Sequence, residues 1–429
     1  MGSKIAIIGT GYVGLTTGAC LSHLGHRVVC ADVVPEKVES LSRGEVPILE
    51  AGLDELVAEG IEEGRLSFVL GAEHAVGDAE FVFLCLPTPQ GADGAADLSF
   101  IKAAAREIGP HLQADAVVIN KSTVPVGSAG EVAKKLQRPD VHVVSNPEFL
   151  REGTAVADFL HPDRVVIGAD DAEVGKRVAE LYAALPGEVL VTDPASAETI
   201  KYASNAFLAT KISFVNAMAA VCEEVGADVV DVVRGMGLDQ RIGDKFLVPG
   251  PGWGGSCFPK DSHALVRIAE NHGYQFGLLR SVIATNEEQF GRVANKIARF
   301  AGGAVEGKTI AVWGLTFKAH TDDLRDSPAI NIIRRLLEVG ATVRAYDPAV
   351  EPGTTDARLA GIEIVADPYA AVAGADVLAV LTEWPEFREV DFARVAGALG
   401  ERNVVDARNL LDGAALKAQG FAYDGIGRS

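Results

Sequence analysis

Short apolar runs punctuated by glycine and proline recur along the first 192 residues: Ile5–Ile8, Val28–Ala31, Phe81–Leu86, Val117–Asn120, His142–Val144 and Val165–Ile167. Runs of this length, alternating with segments of helical periodicity, are the pattern of strands buried in a doubly wound sheet. They predict an α/β, Rossmann-like domain over residues 1–194. From Ala195 to about Gly226 there is neither glycine nor proline, and Ala, Ile, Phe, Leu, Met and Val recur at helical spacing. A helix of roughly 30 residues would span about 45 Å. It would suit a connector between domains that doubles as a dimer seam, or equally the core helix of a small helical domain, assigned here to 195–300. The strand–helix–strand pattern then returns at Thr309–Trp313, Pro328–Val339 and Thr342–Tyr346, giving a second Rossmann-like domain over 301–429.

The first of these units carries its own chemistry. Its opening strand runs into Gly9-Thr10-Gly11-Tyr12-Val13-Gly14, a helix continues through Leu24, and the next strand ends at Asp32. Gly9 permits the turn, Gly11 lets a pyrophosphate approach the backbone, and Gly14 lets helix and strand pack closely, with the helix N-terminus facing phosphate charge. Asp32 can accept from ribose hydroxyls and repels a 2′-phosphate, which predicts NAD rather than NADP. The third section lacks the triple glycine. Its loop Thr316–Ser327 instead carries Lys318, Asp322, Asp323 and Arg325, either a solvated surface loop or cations for a nucleotide.

One thiol stands in an unusual setting. Gly252-Trp253-Gly254-Gly255-Ser256-Cys257-Phe258-Pro259-Lys260-Asp261 places it in a glycine-rich turn beside a cation and a carboxylate. Glycines leave a sulfur uncrowded and Lys260 favours the thiolate, although a tight turn with a packed cysteine reads the same way. Asn146-Pro147-Glu148-Phe149-Leu150-Arg151-Glu152-Gly153 follows a strand end and offers a general base, or simply acids at a helix start. Lys201 and Asn205 lie four apart and share a face of the long helix, where they could meet an oxyanion or only solvent.

Composition narrows the classes. The chain has 429 residues, 48% of them hydrophobic, enough for two or three cored domains. With 39 basic and 59 acidic residues the net charge is −20, which argues against nucleic-acid or anionic-membrane partners, so an anionic substrate needs locally placed cations. No apolar run reads as a membrane span and the N-terminus enters the first strand directly, so a cytoplasmic protein is expected. Five cysteines (Cys20, Cys30, Cys85, Cys222, Cys257) lack metal-ligand spacing, so reduced thiols and no metal are expected.

Taken in order, these motifs, together with Ser122-Thr123-Val124-Pro125, resemble the UDP-glucose dehydrogenase branch of the nucleotide-sugar 6-dehydrogenases over nearly the whole chain. Arg241-Ile242-Gly243, Phe246-Leu247 and Pro249-Gly250-Pro251-Gly252 look like the UDP-glucose type rather than the GDP-mannose or UDP-N-acetylmannosamine types. The resemblance implies oxidation of the C6 alcohol of UDP-glucose to a carboxylate with two NAD⁺, through a thiohemiacetal and a thioester on Cys257. It implies that Lys201 and Asn205 stabilise oxyanions, Asp261 and Thr123 position a water, and Glu148 activates water against the thioester. It gives NAD to Gly9, Gly11, Tyr12, Val13, Gly14, Asp32, Lys37, Thr88, Thr123, Glu152 and Arg325. The sugar nucleotide falls to Glu148, Phe149, Leu150, Lys201, Asn205, Phe246, Leu247, Gly250, Gly254, Phe317, Lys318 and Arg408, with Arg241 reaching a neighbouring subunit of a homodimer. Leu49, Ala51 and Trp253 depart from the residues usual in that family. A short-chain epimerase needs Tyr-x-x-x-Lys, which no tyrosine here provides, and a non-catalytic NAD-binding scaffold would not need Cys257, Lys201 and Glu148 together.

Overall fold

The computed structural model describes residues 2–91 and 96–428. They form two compact units, Met1–Ser204 with His263–Gly273, and Asn205–Ser262 with Tyr274–Ser429.

The first unit is built on eight strands: β1 (Lys4–Ile8), β2 (Arg27–Asp32), β3 (Leu66–Leu70), β4 (Phe81–Leu84), β5 (Val117–Asn120), β6 (His142–Ser145), β7 (Arg164–Gly168) and β8 (Glu188–Thr192). Their order is β3-β2-β1-β4-β5-β6-β7-β8. Alternate residues of β1 enter opposite layers: Ile5 and Ile7 pack with Leu15, Ala19 and Phe83, whereas Ala6 and Ile8 pack with Val82, Leu84 and Val118. Both faces of the sheet are therefore covered, which is why its strands read as unbroken apolar runs. Two details differ from the sequence expectation. β4 stops at Leu84 rather than Leu86, although the Cys85 N–H still donates to the Ile8 carbonyl at 2.9 Å. β6 and β7 pair antiparallel through Ser145 and Gly168.

The second unit holds β9 (Thr309–Trp313), β10 (Thr342–Tyr346), β11 (Ile362–Ile364), β12 (Val377–Val380), β13 (Asn403–Asp406) and β14 (Ala422–Gly425), all parallel in the order β11-β10-β9-β12-β13-β14. Ile310 and Val312 face a layer that includes Phe290, Val293 and Ile297 of the helix Gly277–Phe300. Ala311 and Trp313 face the opposite layer around Phe387.

The expected long helix runs from Pro194 to Val225, 32 residues. Asp193 starts it by accepting from the Ser196 N–H at 2.8 Å and the Ser196 hydroxyl at 2.6 Å, and Pro194 stands at the first turn, where no N–H is needed. Gly226, at φ 73°, ends it in a conformation that other residues avoid. By length and composition this helix is apolar enough to cross a membrane, contrary to the sequence expectation that no run is. Buried Glu198, Lys201, Asn205, Ser213 and Asn216 instead find polar partners within the folded units.

Glu198 anchors the start of the helix. Its carboxylate accepts from the N–H groups of Gly127 (2.6 Å) and Ala129 (3.0 Å) and from the Ser145 hydroxyl (2.8 Å), so it caps the helix Ser128–Leu136 from outside. Replacing it with alanine orphans the buried donors of Ala129 and Ser145 at about 1–3 kcal/mol each, and frees the exposed Gly127 N–H to water. Calorimetry of Glu198→Ala should show the first unit melting several degrees lower; an unchanged transition would mean that water takes over all three bonds.

Candidate functional site

In the first unit the glycine loop has the conformation its sequence demands. Gly9 sits at φ 96°, and a Cβ on Gly14 would lie 1.9 Å from the Gly9 carbonyl oxygen. A Cβ on Gly11 would meet nothing within 4 Å, so that glycine faces open space. Gly11 precedes the helix Tyr12–His23 and no side chain caps it, leaving the first N–H groups available to an anion. The Asp32 carboxylate accepts from the Thr10 N–H (3.0 Å), the Thr10 hydroxyl (2.5 Å) and the Lys37 ammonium (3.0 Å). Burial pushes this carboxyl up, but the bonds from Thr10 and Lys37 outweigh it and bring it down to about 2. These are the fittings of a dinucleotide site: an open phosphate approach and an ionised acid at the ribose position.

Next to it lies a catalytic-type cluster. Glu148 is buried, and its Oε1 accepts from the Lys201 ammonium at 2.9 Å while Oε2 accepts from the Leu150 N–H at 2.6 Å. Burial works to raise this carboxyl, yet the charge and hydrogen bond of Lys201, the Leu150 N–H and the charge of Lys121 leave it below the usual range. The Lys201 ammonium also lies 5.4 Å from the Phe149 ring centre, with the Arg164 guanidinium 3.7 Å from that centre. Thr123 and Thr88 are joined by a 2.9 Å bond from the Thr88 hydroxyl to the Thr123 carbonyl.

The second unit contains the thiol. Cys257 is half-buried, its carbonyl accepts the Asp261 N–H at 2.8 Å, and it therefore stands at the start of the helix Phe258–Asn271. A helix start favours an anionic sulfur. The Ser256 hydroxyl lies 3.5 Å from Sγ. One turn on, Asp261 is fully buried and clamped, with Oδ2 accepting from the Asn205 carboxamide and Oδ1 from Lys260, both at 2.6 Å. Two glycines of the turn are required. A Cβ on Gly254 would sit 2.0 Å from the Asp326 carbonyl, and one on Gly255 would sit 2.9 Å from the Phe317 ring.

The loop before the cysteine is stapled by amide side chains. Gly250 donates to Asn216 and accepts from Gln289, each at 2.8 Å, and Trp253 exchanges bonds with Asn286 at 2.8 and 2.9 Å. The Trp253 indole N–H reaches Ser213 at 2.9 Å, so this bulkier ring is accommodated in the packed interior. Phe246 in the same segment holds φ 60°, a strained value for an aromatic residue; Leu247 beside it is buried. Arg408 donates to the Phe317 carbonyl at 3.1 Å and pairs with Glu383 at 2.9 Å, and the Lys318 ammonium lies 5.4 Å from the Phe317 ring centre. Arg325 is paired with Asp323 at 2.8 Å, and exposed Arg241 with Asp239 at 2.6 Å.

Three segments match known domains in this order: residues 3–186 the NAD binding domain, 195–288 the central domain and 311–413 the UDP binding domain of the UDP-glucose/GDP-mannose dehydrogenase family. The chain belongs to this family. It is 47% identical to the UDP-glucose 6-dehydrogenase of Rhizobium meliloti, over 99% of each chain. Its structure is similar to that of a UDP-glucose dehydrogenase from Pyrobaculum islandicum (TM-score 0.91, 37% identity, 100% and 98% of the two chains covered). It is also similar to that of UDP-D-ManNAc dehydrogenase from Pyrococcus horikoshii (TM-score 0.88, 27% identity, 99% of each covered).

Sequence reasoning about this family member overlooked Glu50. That buried carboxylate accepts from the Tyr12 hydroxyl, from the Gly153 N–H at 2.7 Å and from the Val156 N–H at 3.4 Å, tying the start of the cofactor helix to the segment after Glu148. The only signal was an acid in the turn Pro47-Ile48-Leu49-Glu50, whose partners lie 38 to 106 residues away. Within the NAD binding domain, Gly14→Ala and Gly11→Ala should fail differently. The first clashes with backbone and should cost on the order of 2 kcal/mol, read as a lower Tm. The second should leave Tm unchanged and weaken NAD binding by calorimetry; equal effects of both on Tm would remove the phosphate role from Gly11.

Proposed function

We propose that this chain is a UDP-glucose 6-dehydrogenase that takes the C6 alcohol of UDP-glucose to the carboxylate of UDP-glucuronate with two NAD⁺. The observation that carries the reading is a cysteine at a helix start whose buried Asp261, one turn on, is held by Asn205 of the helix that also carries Lys201. Identity of 47% to a UDP-glucose 6-dehydrogenase, against 27% to a UDP-D-ManNAc dehydrogenase, favours the glucose reading over other nucleotide sugars. The three-domain division at 194 and 300 and a cytoplasmic location are part of this proposal, the latter supported by five cysteines without a disulfide among the described residues.

The proposed cofactor contacts are the glycine loop, Asp32, Lys37, Thr88, Thr123, Glu152 and Arg325. NAD held by these residues would supply the hydride acceptor for both oxidations at C6, alcohol to aldehyde and thiohemiacetal to thioester. Between these oxidations the Cys257 sulfur bonds to the aldehyde carbon, and the carbonyl oxygen takes up negative charge. Lys201 and the Asn205 carboxamide donate to that oxyanion. Thr123 and Asp261 position the water that carries protons to and from the C6 oxygen. Ionised Glu148 then takes a proton from the water that adds to the thioester carbon, and the C–S bond breaks to return the thiolate. Phe149, Leu150, Phe246, Leu247, Gly250 and Gly254 would enclose the sugar, and Phe317, Lys318 and Arg408 would hold the UDP.

With limiting UDP-glucose the purified protein should release two NADH per sugar and yield UDP-glucuronate by mass spectrometry. Cys257→Ala should form no acid while binding NAD as before; full turnover by that variant would sink the covalent route.

A homodimer through the long helix belongs to the same reading. Phe207, Phe214, Val221 and Val225 are 65%, 50%, 49% and 70% exposed at spacings of seven, seven and four, one apolar stripe along a helix. Arg241 of one subunit would serve the site of the other. The double substitution Phe207→Glu with Phe214→Glu should halve the sedimenting mass; a retained dimer would put the seam elsewhere.

A further inference from the structure

Lys121, directly after β5, is one of the few fully enclosed cations of the first unit and has no part in the chemistry above. It is 5% exposed. Its ammonium lies 3.1 Å from Asn146 Oδ1 and 3.5 Å from the Tyr182 hydroxyl, and 6.0 and 5.6 Å from the ring centres of Phe159 and Tyr182. All these partners are neutral, and Lys121 has no ion pair among the described residues. An enclosed ammonium without a counter-ion is expensive, and a methionine of similar length would fill the space between two rings more favourably. The cation must therefore act on something beyond its own contacts.

Asn146 shows what that is. Its Oδ1 also accepts from the Tyr182 hydroxyl at 2.6 Å, its Nδ2 donates to the Val166 carbonyl at 2.8 Å, and its N–H donates to the Asn120 carbonyl at 2.9 Å. Asn146 is thus fixed on all sides, and Glu148 follows it across Pro147. We propose that Lys121 is a positioning residue for Glu148: with Asn146 and Tyr182 it locks the turn that aims the carboxylate, and its charge stands behind that carboxylate as a second cation after Lys201. The proposal rests on the role given to Glu148 above.

The charged and titratable groups around Lys121 agree. Burial lowers its ammonium to about 8, while the charge of Glu148 supports it and that of Lys201 opposes it. Burial holds the Cys85 thiol up at about 12 and the Tyr182 phenol well above its ordinary range, so both are neutral at working pH. Glu148 is the remaining anion. Support for it is present while Lys121 is protonated and is withdrawn as pH rises through about 8.

Lys121→Met removes both charge and hydrogen bond, and Lys121→Gln removes the charge while keeping a donor for Asn146. Removing a cation near a carboxylate raises its pKa. Infrared titration of Glu148, with Glu148→Gln as the blank, should show that upward shift in both variants. In turnover, kcat should fall roughly tenfold with the KM for UDP-glucose nearly unchanged, the thioester should accumulate by mass spectrometry, and Lys121→Arg should restore most of the rate. An unshifted Glu148 titration in whichever variant folds would overturn the proposal. If the wild-type protein does not oxidise UDP-glucose at all, it is the functional reading that fails, and the infrared titration still decides whether Lys121 supports Glu148.

Discussion

The pair of Lys201 and Glu148, 2.9 Å apart with both side chains almost wholly enclosed, is the constraint on which the first unit's chemistry depends. Burying either charge alone would cost several kcal/mol, and removing one partner of such a pair typically costs about 3–5 kcal/mol because the other is stranded. As a device for stability it is poor, since apolar residues of equal volume often do as well. What it maintains is a carboxylate that stays ionised where water is scarce, as the proposed general-base role asks and an unpaired buried glutamate could not provide. The Leu150 N–H fixes the second oxygen, so orientation and charge are set together. Asn205, one turn along the same helix, fixes the orientation of Asp261 through one oxygen, and Lys260 bonds the other.

The two βαβ units use one anchor for two purposes. In each, an aspartate ending the second strand, or directly after it, accepts from the N–H and hydroxyl of a threonine after the first strand: Asp32 from Thr10, and Asp347 from Thr316 at 3.0 and 3.1 Å. Asp32 keeps an exposed edge and the company of Lys37. Asp347 is sealed, taking also the Leu315 N–H at 2.7 Å and the Trp384 indole N–H at 3.1 Å. An acid only 1% exposed offers no open side to a ribose, so the second copy retains the architecture of a dinucleotide fold without its recognition element. The long loop after Thr316 replaces the tight phosphate turn, and Gly254 and Gly255 lie against residues of that loop too closely for any side chain.

Most of the architecture was legible because it obeys local rules. Strands buried on both faces give apolar runs, a glycine triplet between two such runs has few other uses, and a stretch from Ala195 to Val225 without glycine or proline can hardly be anything but a helix. The reversed pairing of β6 and β7 was not legible, since an apolar run does not record the direction in which its strand enters the sheet. The same limit hid Glu50, Glu198 and Lys121. Each is a charged residue whose partners lie some 25 to 105 positions away, and in sequence each resembles a solvated surface residue. Cys257, Lys201 and Asn205 were found only because their neighbours form recognisable motifs, while their burial and hydrogen bonds came from the fold.

An enzyme of net charge −20 that handles a diphosphate faces a field that repels its substrate. The second unit answers locally. Arg408 is held by the Leu381 and Phe317 carbonyls and by Glu383, so it is already oriented without a ligand, whereas Lys318 lies over the Phe317 ring. A fixed guanidinium provides directional donors and an ammonium a point charge, the two kinds of contact that the proposed UDP role of Arg408 and Lys318 calls for. Screening confines the remaining acidic field to about 10 Å at ordinary ionic strength, so a few such cations decide the local potential and the distant acids serve solubility.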